Sequence, residues 1–408
     1  MLRSYLRQCR QPLVPRHARL QSFRRTIISN ANHASSELRE IPIRNEYRTL
    51  FTVLVAFGVA SLGYGIYEMY RRMTIWPSAL RQDLRDALRR KSKNDFEASE
   101  AFFRRALANA RSLSTSELSP QPYLKTTGIA IALGSMLEST GHSDKAYDVY
   151  AGALSHIQEA GEKTSLSNEE HLRGIKLACK LAEMSNALGR NNEEEKWLTW
   201  AIQVILKSML PNKSAAVHHT DVSQNVRGDD HTLSLPTWVS NTDLAAPFEA
   251  LGSLYARTNR NEYALPVLLQ ATSILIPPSP QTSSSADRCR GAQIMSTISE
   301  IIMRVKPTEE GLYQAEAWSR KALDIAEGTR DKMQKKGGKW HALLDKSAHT
   351  DETCEVALAV SLFNIGILRE MAGDKNEAKK YLILSSKQSK KIRLDEGVVA
   401  AEDALQKL

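Results

Sequence analysis

An all-α chain is predicted, a superhelical array of antiparallel helix pairs preceded by one transmembrane helix. Three observations carry that expectation. From Thr49 to Tyr67 run 19 residues without a charge, TLFTVLVAFGVASLGYGIY. Beyond Trp76 the chain has few β-branched runs and many Ala/Leu/Glu/Lys-rich stretches with apolar residues at helical spacing. Within those stretches one order of small and large residues recurs at fixed offsets, the mark of an internal repeat.

The first element is a basic leader. Seven arginines (Arg3, Arg7, Arg10, Arg16, Arg19, Arg24 and Arg25) precede the first acidic residue, Glu37, and no lysine occurs before Lys91. An Arg-rich, acid-poor start describes a mitochondrial transit peptide rather than a secretory signal. Residues 1–30 are assigned to it, with cleavage expected near Ile27, and 31–48 to a short matrix-side segment.

Residues 49–67 follow as the transmembrane helix. Nineteen residues rise about 29 Å as a helix, close to the thickness of a hydrocarbon core. Ala56 and Ala60 are four apart, as are Ser61 and Gly65. Small residues at that spacing admit a second membrane helix at close range. Trp76-Pro77 behind Arg71-Arg72 suits a chain leaving the headgroup region, with proline opening the next helix. A leader drawn into the matrix and a stop-transfer helix place the body in the intermembrane space.

The formal charge of +9 raises nucleic acid as a partner, but the charge sits in the leader. Residues 1–72 hold 12 Arg and 4 acids, a net of +8, so the remaining 336 residues carry only +1. Such a body has no electrostatic footprint for a phosphate backbone. The four cysteines (Cys9, Cys179, Cys289 and Cys354) show no short repeated spacing and so neither a disulfide framework nor a zinc pattern. The last three lie in apolar helical contexts and are expected as buried thiols.

The body spans 76–393. Leu133-Gly134 is followed by Leu137, Gly141, Ala146, Tyr150 and Ala153. The same offsets return at Leu251-Gly252, Tyr255, Ala264, Leu268 and Ala271, and at Ile365-Gly366, Gly373, Ala378, Leu382 and Ser385. A weaker copy has Leu181-Ala182, Ser185, Gly189, Leu198 and Ala201. A small residue on one helix and another twelve positions later let two helices cross closely. This order resembles the tetratricopeptide repeat (TPR), which implies stacked antiparallel helix pairs. Degenerate pairs begin at Leu80 and Ile294, giving about six repeats. Residues 211–242 and 277–286 read as flexible insertions, Gly337-Gly338 as a helix break, and 394–408 as a C-terminal tail.

Chemistry is sparse. The chain has no HExxH, no phosphate-cradling GxxxxGK[ST] and no GxGxxG. His218, His219, Asp221 and His231 lie in a polar insertion without rigid metal-ligand spacing. No catalytic set, cofactor, metal or small-molecule substrate is expected. In a TPR array the first helices line a concave groove that takes a peptide. By position in the repeat, groove candidates are Lys176, Cys179, Lys180 and Glu183, then Glu249 and Ser253, then Phe363, Asn364 and Ile367. Arg81, Arg85 and Arg89 share one helix face just past the membrane. That face is read as solvated, with anionic headgroups as the alternative.

In layout the whole chain resembles the fungal TPR adaptor subunits of the i-AAA protease complex of the mitochondrial inner membrane. The resemblance is carried by the leader, the helix at 49–67, WPSALRQDLRDALR and the degenerate repeats. It implies a non-catalytic, single-pass adaptor that binds unfolded or misfolded proteins and presents them to the protease, with the protease and its membrane adaptor subunits as partners. Two alternatives stay open. One is an outer-membrane TPR import receptor, although Leu84, Leu88 and Ala132 stand at its carboxylate-clamp positions and only Lys176 and Lys180 fit. The other is an inner-membrane assembly factor for a respiratory complex.

Overall fold

The computed structural model describes residues 45–209, 238–277, 283–336 and 352–408. The leader, residues 31–44 of the matrix-side segment, the histidines of the first insertion and Gly337-Gly338 lie outside these residues, while 45–48 of that segment open the first helix. The described residues form fourteen helices and no strand.

Helix α1 (Asn45–Thr74) packs against no other described element. Behind it stand six antiparallel pairs: α2 (Ser78–Ser92) with α3 (Phe96–Ser112), α4 (Pro122–Ser139) with α5 (Ser143–Lys163), α6 (Asn168–Ala187) with α7 (Asn191–Met209), α8 (Asn241–Arg257) with α9 (Asn261–Leu275), α10 (Ser285–Val305) with α11 (Glu309–Lys336), and α12 (Glu352–Met371) with α13 (Lys375–Ile392). Each second helix also packs on the next first helix, so the pairs stack into one TPR-like array. Residues 394–408 are not a plain extension: α14 (Asp395–Lys407) lies on α13 and α12 and closes the end of the stack.

The repeated offsets have a steric cause. A Cβ added to Gly134 would lie 2.5 Å from the ring of Tyr150, and one on Gly252 would lie 2.5 Å from Leu268 Cγ. At Gly366 the corresponding clash is 2.8 Å from Leu382 Cγ. In each pair the large residue sixteen positions on fills the space that the missing side chain leaves. Tyr150, Leu268 and Leu382 are all buried there. Between the two helices the chain turns through a left-handed residue, Asn94, Gly141, Gly189, Asn259 or Gly373. The fifth pair is degenerate because hydroxyls do the packing: Ser319 Oγ donates to Ser299 Oγ (2.8 Å), which donates to Ala315 O (2.7 Å).

These contacts set an opposed pair of expectations. Gly252→Ala overpacks the α8–α9 crossing and lowers stability by about 1–3 kcal/mol. Gly128→Ala, where the added Cβ meets nothing within 4 Å, raises stability by about 0.5–1 kcal/mol through helix propensity. Thermal unfolding of the two variants beside the parent checks both signs.

A single apolar core runs through the stack, from Leu80 and Phe103 through Leu137, Leu181 and Leu254 to Leu368, with a smaller cluster around Ala292, Met295, Ala322 and Leu358. Beside that cluster the expectation of thiols is corrected for two cysteines: Cys289 of α10 and Cys354 of α12 are joined as a disulfide, with Cα atoms 4.6 Å apart. They are 65 residues apart in sequence, so only the adjacency of the two first helices brings them together.

No helix among the described residues is long and apolar enough to cross a membrane. On α1 the side chains described are those of residues 52–68, a shorter stretch than the roughly 20 residues a spanning helix takes. The transmembrane assignment of 49–67 is therefore not shown. Ala56, Ala60, Ser61 and Gly65 lie on this exposed helix, and the structure brings none of them to another helix.

Candidate interaction groove

From α4 to α12 the first helices lie side by side along one face, and polar side chains stitch each to the next. The stitching starts at the helix N-termini. Ser167 and Glu170 form a capping box on α6, and the same Glu170 carboxylate accepts from Tyr123 N of α4 at 3.2 Å. Ser284 and Asp287 cap α10 in the same way, and Asp287 also accepts from the Thr242 hydroxyl of α8. Each capping acid thereby ties its own helix to the preceding repeat.

Further along, ion pairs continue the seam. Lys180 of α6 reaches Glu138 of α4 at 2.9 Å, and Glu183 on its own helix at 3.7 Å. Lys176, one turn earlier, reaches forward to Asp243 of α8 at 3.1 Å. Asp243 is held in the first turn of α8, where its backbone N–H donates to the Ser240 cap. Arg290 of α10 then donates to Glu249 of α8 at 2.6 Å. Between α10 and α12 the seam becomes neutral. Asn364 donates to Ser296 O at 3.0 Å, and the Ser296 and Ser361 hydroxyls meet at 2.9 Å.

Four candidates chosen from repeat position, Lys176, Lys180, Glu249 and Asn364, are thus brought onto this seam, each bonded to a neighbouring repeat. Cys179 lies among them as a half-buried free thiol. Burial pushes it up to about 12, Asp243 adds to the shift, and Arg290 and Lys176 oppose it. Its ordinary value is 9.0, so at pH 8 the thiolate fraction falls roughly a thousandfold. Site-resolved iodoacetamide labelling of the native chain is expected to leave Cys179 nearly unmodified, while the same reagent modifies it quickly in denaturant. Glu183 is exposed and Ser253 half-buried on the same helix faces. Phe363 and Ile367 are half-buried, and Phe363 lines a small cleft with Ser389, Leu394 and Gly397, under α14. It is turned toward the end cap as well as toward the helix row.

Repeat position did not reveal a second row, at the start of α7. Tyr147 of α5 donates to Glu193 at 2.6 Å and accepts from Trp197 Nε1 at 2.9 Å. Arg257 of α8 is bonded to the buried Glu194. Arg260 grips Glu195 with two nitrogens at 3.0 and 2.9 Å, and Tyr255 donates to the same carboxylate at 2.9 Å. Arg260 holds Glu195 below the usual carboxylate range, whereas burial raises Glu194 and Arg257 only partly offsets it. The run Glu193-Glu194-Glu195 was the available signal. The arginine row past α1 divides: Arg81 donates to Trp76 O at 2.7 Å, while Arg85 and Arg89 are exposed.

Chemically this face is a polar, charge-balanced surface five helices long, from α4 to α12, with a protonated thiol in it. It suits contact with a protein segment. Among the described residues no cluster of His, Cys, Asp or Glu is placed to hold a metal ion. The lysine pair that partly matched a carboxylate clamp is engaged by Glu138 and Asp243.

No protein-family profile matches the chain, and no curated protein matches it in sequence. Solved structures do. The chain is similar to BtubC (BKLC) from P. vanneervenii (15% identity, 74% of this chain and 92% of that one, TM-score 0.45). It is also similar to the nuclear import adaptor Nro1 of S. pombe (13% identity, 80% and 98%, TM-score 0.43). A third is the Rap conjugation gene regulator of the plasmid pLS20, solved with the Phr* peptide (14% identity, 78% and 76%, TM-score 0.31).

Proposed function

We propose that the chain is a membrane-anchored TPR adaptor that holds unfolded or misfolded protein segments against the row of first helices and hands them to the i-AAA protease. The observation that carries the interaction role is the stack itself: six pairs, of which the first helices from α4 to α12 form one continuous polar face stitched from helix to helix. The protease assignment rests on the resemblance in sequence layout. The anchor reading is supported by α1. Its side chains Val53, Leu54, Phe57, Leu62, Ile66 and Tyr67 are each more than half exposed and lie all around the helix. Apolar surface on every side of a helix that packs on no other described element calls for lipid or another membrane helix.

With the leader in the matrix, the array faces the intermembrane space. A C-terminal tag is then digested by added protease only after the outer membrane is ruptured. Digestion in intact organelles overturns the inner-membrane placement. Deleting residues 76–408 leaves protease abundance normal and lengthens the half-lives of a subset of its substrates several-fold. Unchanged half-lives in a pulse-chase contradict the adaptor reading, as does copurification with respiratory subunits in place of the protease.

A further inference from the structure

Cys289 and Cys354 sit where neither helix pair needs a cysteine. Cys289 is 0% and Cys354 1% exposed, between the small cluster around Met295 and Leu358 and the polar seam of α10 and α12. The two helices are already held by Asn364 on Ser296, by the Ser296–Ser361 contact, and by Gln293 donating to Thr353 O at 3.3 Å. The pair therefore links the fifth helix pair to the sixth at a junction already in register.

We propose that Cys289–Cys354 is a modification site, oxidised during folding by a disulfide-carrying thiol oxidoreductase before α12 closes on α10. Burial imposes that order. A thiol in this closed junction is buried from water and offers no path to an oxidant. In the open chain the thiolate of one cysteine attacks the oxidant's disulfide, forming a mixed disulfide and releasing one thiol. The second cysteine, as thiolate, then attacks the protein sulfur of that mixed disulfide. The protein bond forms, the enzyme's second thiol leaves, and two electrons and two protons have passed to the oxidant. Once the helices close, the same burial shields the bond from reductants. The proposal is independent of the groove reading, and it requires a compartment that supplies such an oxidant.

The test uses the full chain, acid-quenched in the cells that make it. Free thiols are blocked with N-ethylmaleimide in denaturant, the sample is reduced, and newly freed thiols take iodoacetamide. Cys289 and Cys354 are expected to carry the second label and Cys179 the first, with a 289–354 linked peptide present before reduction. On the native protein, dithiothreitol leaves the bond intact, and adding denaturant opens it. Cys354→Ser moves Cys289 to the first label and lowers the melting temperature by about 5–10 °C relative to the oxidised parent. First label on both cysteines of the parent overturns the proposal, and so does rapid reduction of the native chain. Thiols at both positions leave the adaptor reading standing, whereas unchanged substrate half-lives sink that reading alone.

Discussion

Replacing Arg257 with alanine lowers the stability of the array by about 3 kcal/mol, while Glu194→Ala costs far less and the double variant recovers most of the loss. The asymmetry follows from where each group sits. Glu194 stands at the second-helix position that Ser99, Ala146, Ala264 and Ala378 occupy in other pairs, the place where the two helices cross. Its side chain is 4% exposed and that of Arg257 32%. Without Arg257 the carboxylate is stranded in the crossing. Without Glu194 the guanidinium turns to water and the small residue usual at this position is restored. The pH dependence has a definite sign. Burial raises Glu194 in the folded state above its ordinary 4.5. Its contribution is therefore fully present below the unfolded value and is lost as pH rises through the folded one. Arg257→Ala removes the group that opposes this shift, so its cost is largest at neutral pH and shrinks on acidification. Urea unfolding of the four proteins at two pH values reads the coupling. Simple additivity contradicts the account.

Truncation after Arg393 is expected to turn the chain into soluble oligomers or aggregate. Helix α14 buries Gly397, Ala401 and Ala404 against the last pair and keeps Glu402, Asp403, Gln406 and Lys407 on its outer side. Lys390 pairs with Glu402 at 2.8 Å, and Leu394 N donates to Ser389 O at 2.9 Å. Removing this cover exposes the Ala359–Phe363 surface, which then behaves as an open stacking face. Size-exclusion chromatography should show self-association. Hydrogen exchange should show protection lost in α12 and α13 first, with α4 to α9 holding. A monomeric truncation with the parent's melting temperature would contradict the capping role.

The helix pairs were legible because their cause is local. Gly134 and Tyr150, Gly252 and Leu268, and Gly366 and Leu382 sit at fixed offsets within single pairs, so packing leaves a pattern in sequence. The fifth pair was faint because Ser299 and Ser319 replace that steric fit with a hydrogen bond. Four of the nine groove candidates taken from repeat position fell on the seam between first helices, but their partners were hidden. Glu138, Asp243 and Arg290 lie in neighbouring repeats, and loop lengths differ, so no fixed spacing marks them. Arg290 and Glu249, for instance, are 41 residues apart. The same distance effect concealed the Cys289–Cys354 pair. Helix α14 packs on the last pair without a second helix to complete a pair of its own, so repeat offsets passed over it.

The proposed client site is the row of first helices. Placing a photo-crosslinking residue at Ser253, on that row, and at Tyr263, more than half exposed on the second helix of the same pair, tests it inside mitochondria. Under the proposed function Ser253 captures an unfolded i-AAA substrate and Tyr263 does not. The crosslink should strengthen when the protease is inactivated and clients accumulate. Capture from Tyr263 alone, or from neither position while that substrate accumulates, would contradict a groove that binds clients.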